Sequence, residues 1–393
     1  MEFRRIVGLP PYVFTIINEL KVSARRAGQD VIDLGFGNPD IPSPDIVVEK
    51  LCEAAHNERN HRYSSSKGIP NLRKAVADLY QRRFDVTLDP DTQICATIGA
   101  KEGLSHLMWV LVQPGDIAIV PTPSYPIHQY APLFAGAQVQ QVRLGTSGAD
   151  EFLDGVRETF VHTWPRPRCI IVSFPHNPTT VAVDLEWMRK LVEFAREQEV
   201  IVVHDFAYAE TCFDGFVPPS ILQVPGAEDC CVELYSMTKS FSMAGWRMAF
   251  MVGNKEVVAA LTKLKSYLDY GTFQPIQIAS IVALNEASDY PAHVNTIYES
   301  RRNALWDGLQ RIGWEIPKPQ GTMFAWAPIP EPYREIGSIE FAKMLVTDAS
   351  VATSPGVGFG PGGEGHVRFA MIENELRIHQ ATRNLKEALV KLG

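Results

Sequence analysis

A chain of 393 residues with 46% hydrophobic and 21% charged side chains can bury a sizeable core, enough for one large domain and a smaller companion. Its net charge of -8 speaks against a nucleic acid or an anionic membrane surface as the main partner, and no apolar run approaches the roughly 20 residues of a spanning helix. The opening residues, from Met1-Glu2-Phe3 into Gly8-Leu9-Pro10-Pro11, contain no signal-like apolar core, so a cytoplasmic location is expected.

In chain order, the first clear strand spans Gln93 to Ile98 and leads into a helix from Ala100 to Leu111. Ile117 to Pro121 reads as a further strand. Cys169 to Phe174 is short and apolar, the mark of a strand covered on both faces. Leu185 to Gln198 then places Leu185, Met188, Leu191, Val192 and Ala195 on one helical face, with Arg189, Glu193 and Glu197 away from it. Val200 to Asp205 closes a βαβ unit, which predicts two parallel strands joined by a helical crossover. Met248 to Gly253 reads as another strand of the same sheet. The C-terminal part changes texture: a helix over Ile297 to Ile312, short strands near Thr322 to Ala327 and His366 to Met371, a Gly/Pro-rich loop from Ser354 to Gly363, and a helix from Glu375 to Leu392.

This pattern predicts an α/β fold. A large domain over residues 46–285 carries a mostly parallel sheet covered by helices on both faces. A smaller α+β domain is made from residues 1–45 and 286–393. The six cysteines, at 52, 95, 169, 212, 230 and 231, have no CxxC pair, and reduced, mostly buried thiols are expected. The histidines show no HExxH or other ligand spacing, and no metal site is predicted.

The segment Ser236-Met-Thr-Lys239 through Gly245-Trp-Arg247 offers an amine, a hydroxyl three residues before it and a guanidinium eight residues after it. A phosphate-bearing aldehyde cofactor needs these parts: an amine to hold the aldehyde as a Schiff base, and donors for the phosphate dianion. Asp205 ends a predicted strand, where ligands bind in parallel α/β sheets, and could keep a pyridine nitrogen protonated. Asn177 and Tyr208 could donate to a phenolic oxygen. Ala100 and Lys101, at a helix start, could present amides to an anion. Tyr125 could stack on a ring, and Arg368 is suited to clamp a carboxylate. Taken singly, each also reads as a cap, a turn, a core aromatic or a surface cation. Their joint order decides between the readings.

That order resembles the class I/II, fold type I pyridoxal-phosphate aminotransferases across nearly the whole chain. The resemblance runs through Gly37-Asn-Pro39, Tyr63 to Gly68, Gly99-Ala-Lys101, Pro123-Ser-Tyr-Pro126, Asn177-Pro178, Asp205 with Tyr208, Ser236 with Lys239 and Arg247, and Arg368. It implies pyridoxal 5'-phosphate as cofactor and Lys239 as the Schiff-base lysine and proton shuttle. It further implies Asp205 on the ring nitrogen, Asn177 and Tyr208 on the phenolic oxygen, and Tyr125 against the ring. Ser236, Arg247, Ala100 and Lys101 would hold the phosphate, and Arg368 the substrate carboxylate with help from Asn177 and the Gly37 backbone. Tyr63 reaches the partner subunit's phosphate in that family, which implies a homodimer with shared active sites.

The resemblance to bacterial glutamate–pyruvate (alanine) aminotransferases is denser still, through Leu9-Pro-Pro-Tyr-Val-Phe14, Val203-His-Asp205, Lys265-Ser-Tyr267, Asp269-Tyr-Gly-Thr-Phe273 and Val367-Arg-Phe-Ala370. Thr180 and Phe206 depart from the broader pattern without removing a cofactor contact. The implied substrates are amino acids and 2-oxo acids, with L-alanine and 2-oxoglutarate preferred. Lys263 to Pro275 contains no arginine, which weakens an aspartate-specific reading. L,L-diaminopimelate transamination is the nearest alternative, followed by a carbon–sulfur lyase.

Overall fold

The computed structural model describes Phe3, Leu9 and residues 13–146 and 148–391. The motif starting at Leu9 therefore lies largely outside the described residues. Seven strands form the main sheet, in the order Ile94–Thr97, Ala249–Gly253, Cys231–Ser236, Ile201–Phe206, Cys169–Val172, Ile117–Thr122 and Gln138–Arg143. Ala249–Gly253 runs antiparallel to both of its neighbours, and every other adjacent pair is parallel.

Strand side chains alternate between two apolar layers, as the two-residue period of a strand requires. Ala118, Val120, Ile171, Val203, Val232 and Leu234 pack on one face with Leu104, Leu107 and Leu261. Ile119, Ile170, Val172 and Val202 pack on the other with Phe152, Met188 and Leu191. Farther along that second face, Tyr235, Phe250 and Val252 meet Leu72, Val76 and Ala283. Helices thus cover both faces, and the central strand Cys169–Val172 is apolar throughout for that reason. The helix Leu185–Glu197 shows the local logic. Asp184 caps its first turn by accepting from the Trp187 amide, and Arg189 bridges Glu186 and Glu193 on the outer face.

Two strands of the main sheet escaped the sequence reading. Gln138–Arg143 lies at the sheet edge, where partial exposure allows a polar composition. Cys231–Ser236 is central and fully buried but carries Glu233. That carboxylate is satisfied by Tyr80 (2.7 Å), Ser220 (2.9 Å), the Ile221 amide (3.0 Å) and His204 (2.8 Å), so a charge that interrupts the apolar run is tolerated.

A fourth apolar cluster joins Ile17 and Val31 to Leu34 with residues of the C-terminal third, and Tyr208 and Phe213 reach into it from the sheet region. It surrounds an antiparallel three-stranded sheet, Ser354–Pro355, His366–Ala370 and Phe324–Pro328. The segment Ser354 to Gly363, expected as loop, instead contributes the edge of that sheet and two short 3-10 turns. Its glycines and prolines suit tight turns as well as irregular chain. The helix expected from Ile297 starts earlier, at Tyr290, with Pro291 in its first turn, where a missing amide donor costs nothing. Among the described residues, no helix is long and apolar enough to cross a membrane.

Candidate active site

The parallel strands end along one edge of the main sheet, and the chain segments just past those ends line a cleft of about 190 Å³. Gly37, Ala100, Lys101, Tyr125, Asn177, Asp205, Tyr208, Ser236, Lys239, Arg247 and Arg368 all border it. Eleven of the twelve residues proposed from sequence therefore converge. Tyr63 is absent from the lining: the residue is 88% exposed, and its ring centre lies 5.2 Å from that of Tyr270.

Asp205 sits near the end of its strand and is buried. His128 Nε2 lies 2.8 Å from Asp205 Oδ2, and the Ala207 amide donates to Oδ1 at 3.3 Å. One carboxylate is thereby held at both oxygens and aimed into the cleft. His128 was missed by sequence reading. Its signal was present, since it stands in the first turn of the helix Pro126–Ala135, three residues after Tyr125. Burial raises the Tyr125 phenol above its ordinary value, with the Asp205 carboxylate adding to the effect, and burial raises Tyr208 much further. Both stay protonated at neutral pH and keep their donor character.

Lys239 lies in the short helix Met237–Ser240 directly after the strand that ends at Ser236. Its Nζ donates to the Gly37 carbonyl at 2.9 Å, a carbonyl partner rather than a carboxylate. Burial, and then the Arg368 and Arg247 cations, bring its ammonium down to about 7. A large fraction is then neutral amine at physiological pH, the form able to attack an aldehyde or accept a proton. Gly37 is required beside it, because a Cβ there would fall 2.4 Å from the Phe324 ring.

Arg368 is buried in the middle of its strand. It donates to Asn177 Oδ1 at 2.8 Å and to the Gly35 carbonyl at 3.3 Å, and its guanidinium lies 3.8 Å from the centre of the Phe324 ring. These contacts orient a planar cation toward the cleft, an arrangement suited to a carboxylate. Phe324 and Phe36, which also line the cleft, were not singled out from sequence. Isolated aromatics carry no local mark that separates a site wall from core.

At the opposite end, the helix Ala100–Leu111 begins without any side-chain cap. Its first amides face a region also bordered by the Ser236 hydroxyl and the exposed Arg247 guanidinium. Gly99 precedes it at φ +81°, and a Cβ there would fall 2.2 Å from the terminal nitrogen of Arg247. An uncapped helix start, a hydroxyl and a guanidinium form a donor set for a phosphate dianion. With the Lys239 amine and the Asp205 carboxylate also facing the cleft, the residues present fit a phosphorylated pyridine aldehyde.

Residues 29–383 match the family described as Aminotransferase class I and II. The chain is 50% identical to the glutamate-pyruvate aminotransferase AlaC of Escherichia coli (strain K12), covering 98% of this chain and 93% of that protein. It is 40% identical to the LL-diaminopimelate aminotransferase of Moorella thermoacetica, covering 100% of this chain and 99% of that one. Among solved structures, a single mutant of Thermus thermophilus aspartate aminotransferase superposes with a TM-score of 0.90 at 25% identity, covering 99% of each chain.

Proposed function

This chain belongs to the class I and II aminotransferases, pyridoxal-phosphate-dependent enzymes acting on amino acids and 2-oxo acids, and on that premise we propose that it converts L-alanine and 2-oxoglutarate to pyruvate and L-glutamate by a ping-pong mechanism. The observation that carries the catalytic part is the Lys239 amine, brought to about 7 within a cleft that also presents Asp205 and Arg368. When bound, the cofactor supplies an electrophilic aldehyde and a ring that stores the electron pair released at the substrate α-carbon.

The chain's own residues divide the remaining work. Arg247, Ser236 and the amides of Ala100 and Lys101 hold the phosphate. Asp205, oriented by His128, keeps the ring nitrogen protonated, while Asn177 and Tyr208 donate to the phenolic oxygen. Tyr125 offers an aromatic face to the ring. Arg368, with Asn177 and the Gly37 backbone, binds the substrate α-carboxylate. Lys239 Nζ takes the α-proton, and neutral amine is the form that can do so.

The preference for alanine is supported by the likeness to AlaC, and the absence of arginine between Lys263 and Pro275 speaks against an aspartate-specific enzyme. One feature favours L,L-diaminopimelate as a second reading. Beyond Phe36, which it shares with the cleft, lies a cavity of about 560 Å³ bordered by Asn18, Lys21, Asp33, Asn38 and Asp40. Its Lys21 and Asp33 pair with each other at 2.6 Å and Asp40 pairs with Arg301, so a distal ammonium and carboxylate would have to exchange with these partners.

We further propose a cytoplasmic homodimer with shared sites, with residues 46–285 as the cofactor-binding domain and residues 1–45 and 286–393 as the smaller one. A band of exposed aromatics, Tyr63 (88%), Tyr267 (81%), Tyr270 and Phe273, supports the dimer, and six free cysteines support a reducing compartment.

A half-reaction scan tests the substrate assignment. Holoenzyme is mixed with single amino acids without an acceptor, and the cofactor's long-wavelength absorption band is followed. Loss of the band with alanine and glutamate supports the proposal. Loss with L,L-diaminopimelate and glutamate, with alanine inert, replaces it by the second reading. Pyruvate and ammonia formed from cystathionine without acceptor would indicate a lyase.

A further inference from the structure

Away from the cleft, Lys265 is fully buried and holds two carboxylates together. Its Nζ donates to Glu102 Oε1 and to Asp269 Oδ2, each at 2.8 Å. His106 Nδ1 lies 2.5 Å from the same Glu102 oxygen and 3.8 Å from Asp269 Oδ2. The ammonium thus supplies the charge that two partly buried carboxylates need.

Each carboxylate has a second task. Glu102 Oε2 accepts from the Ile98 amide at 2.7 Å, which pins the turn that enters the uncapped helix start at Ala100. Asp269 Oδ1 accepts from the Gly271 amide at 2.7 Å and pins the loop carrying Tyr270. Buried Gln277 ties that loop to the one carrying Tyr63. It donates to the Thr272 carbonyl at 2.6 Å and Ser64 Oγ at 2.9 Å, and accepts from the Ile69 amide at 2.8 Å. An unbroken set of hydrogen bonds and short loops therefore runs from the phosphate end of the cleft to the exposed aromatic rings of Tyr63 and Tyr270.

We propose that Lys265 is a positioning residue that fixes the phosphate-binding turn against the aromatic loops on which a second copy of this chain docks, so that phosphate binding and dimer formation support each other. This rests on the reading of the cleft and dimer given above. Lys265 does not border the cleft. It acts through Glu102 on the Ile98–Ala100 turn and through Asp269 on the Tyr270 loop. Without its ammonium, Glu102 and Asp269 would share only the His106 imidazole, and both segments would shift to relieve the repulsion.

The test compares Lys265→Met and Glu102→Gln with the wild-type apoprotein. Affinities for pyridoxal 5'-phosphate and for pyridoxal are measured, and dimer dissociation is followed by sedimentation. General structural damage would weaken both ligands alike. Loss of the clamp is expected to weaken the phosphorylated ligand roughly tenfold, leave pyridoxal within about twofold, and loosen the apo dimer to a similar degree. The two substitutions change the local charge in opposite directions. A purely Coulombic effect would make Glu102→Gln bind phosphate more tightly. A broken clamp weakens both variants, because one Gln amide cannot accept from both the Ile98 amide and the Lys265 ammonium. If Lys265→Met does not fold, Glu102→Gln alone decides by the same measurements. Equal weakening of both ligands, tighter binding by Glu102→Gln, or an unaltered dimer would overturn the proposal. A wild-type apoprotein that does not distinguish pyridoxal phosphate from pyridoxal would instead overturn the phosphate site on which it rests.

Discussion

His128 Nε2 lies 2.8 Å from Asp205 Oδ2, with the imidazole fully buried and the carboxylate nearly so. A carboxylate proposed to pair with a protonated ring nitrogen must keep one orientation, and this contact supplies it. His128→Ala is expected to leave Asp205 buried without its side-chain partner. Stability should fall by about 1–3 kcal/mol, and kcat roughly tenfold, with little change in KM. Thermal unfolding and steady-state kinetics check both. Unchanged kcat would show that Asp205 needs no such support.

Lys239 should carry a pH signature in the apoprotein. Its ammonium is lowered from the ordinary 10.5 to about 7, so the unfolded chain binds more protons between those values and stability rises with pH across that window. Below about 7 the buried charge is at its most costly. Lys239→Met is therefore expected to stabilise the apoprotein by about 2–4 kcal/mol near pH 6, with the advantage shrinking toward pH 10, while abolishing turnover. Denaturant titrations at several pH values read the first effect. A variant that keeps near-wild-type turnover would refute the lysine assignment.

The same titration governs loading. The rate at which apoprotein captures pyridoxal 5'-phosphate covalently should climb as pH rises through about 7, following the neutral amine. Stopped-flow absorbance at constant ionic strength measures it. A flat profile from pH 6 to 8 would mean that another step limits capture.

Gly99 and Arg247 leave no room for a side chain between them, since an added Cβ would lie 2.2 Å from the guanidinium and the backbone has φ +81°. Gly99→Ala is expected to displace Arg247 and strain the turn, weakening pyridoxal-phosphate affinity roughly tenfold or more. The measurement is equilibrium binding to apoprotein. An unchanged constant would remove Arg247 from the phosphate site.

Arg368→Lys keeps the charge but loses the fork that engages Asn177 and the Gly35 carbonyl. The expected result is an increase of roughly 100-fold in KM for the amino donor with a smaller fall in kcat. Equal loss of affinity for a donor lacking the α-carboxylate would show that the arginine does not bind that group.

The sequence by itself determined the class of fold and most of the chemistry. Apolar runs alternating with amphipathic stretches specify strands covered by helices, because a strand buried on both faces favours apolar side chains at every position, as in Cys169–Val172. Reactive residue types placed at or just after the ends of those strands, Asp205 and Lys239 among them, were legible for the same reason: the ends of parallel strands share one edge of the sheet. Where burial is satisfied by long-range hydrogen bonds the local pattern breaks, and Cys231–Ser236 with its buried Glu233 was missed. The tertiary structure decided which partners meet. His128 and Asp205 are 77 positions apart, Asn177 and Arg368 191, and Gly37 and Lys239 202. No local periodicity encodes such pairs. They depend on the order of strands in the sheet and on how the C-terminal cluster packs over its edge, which many weak contacts settle together.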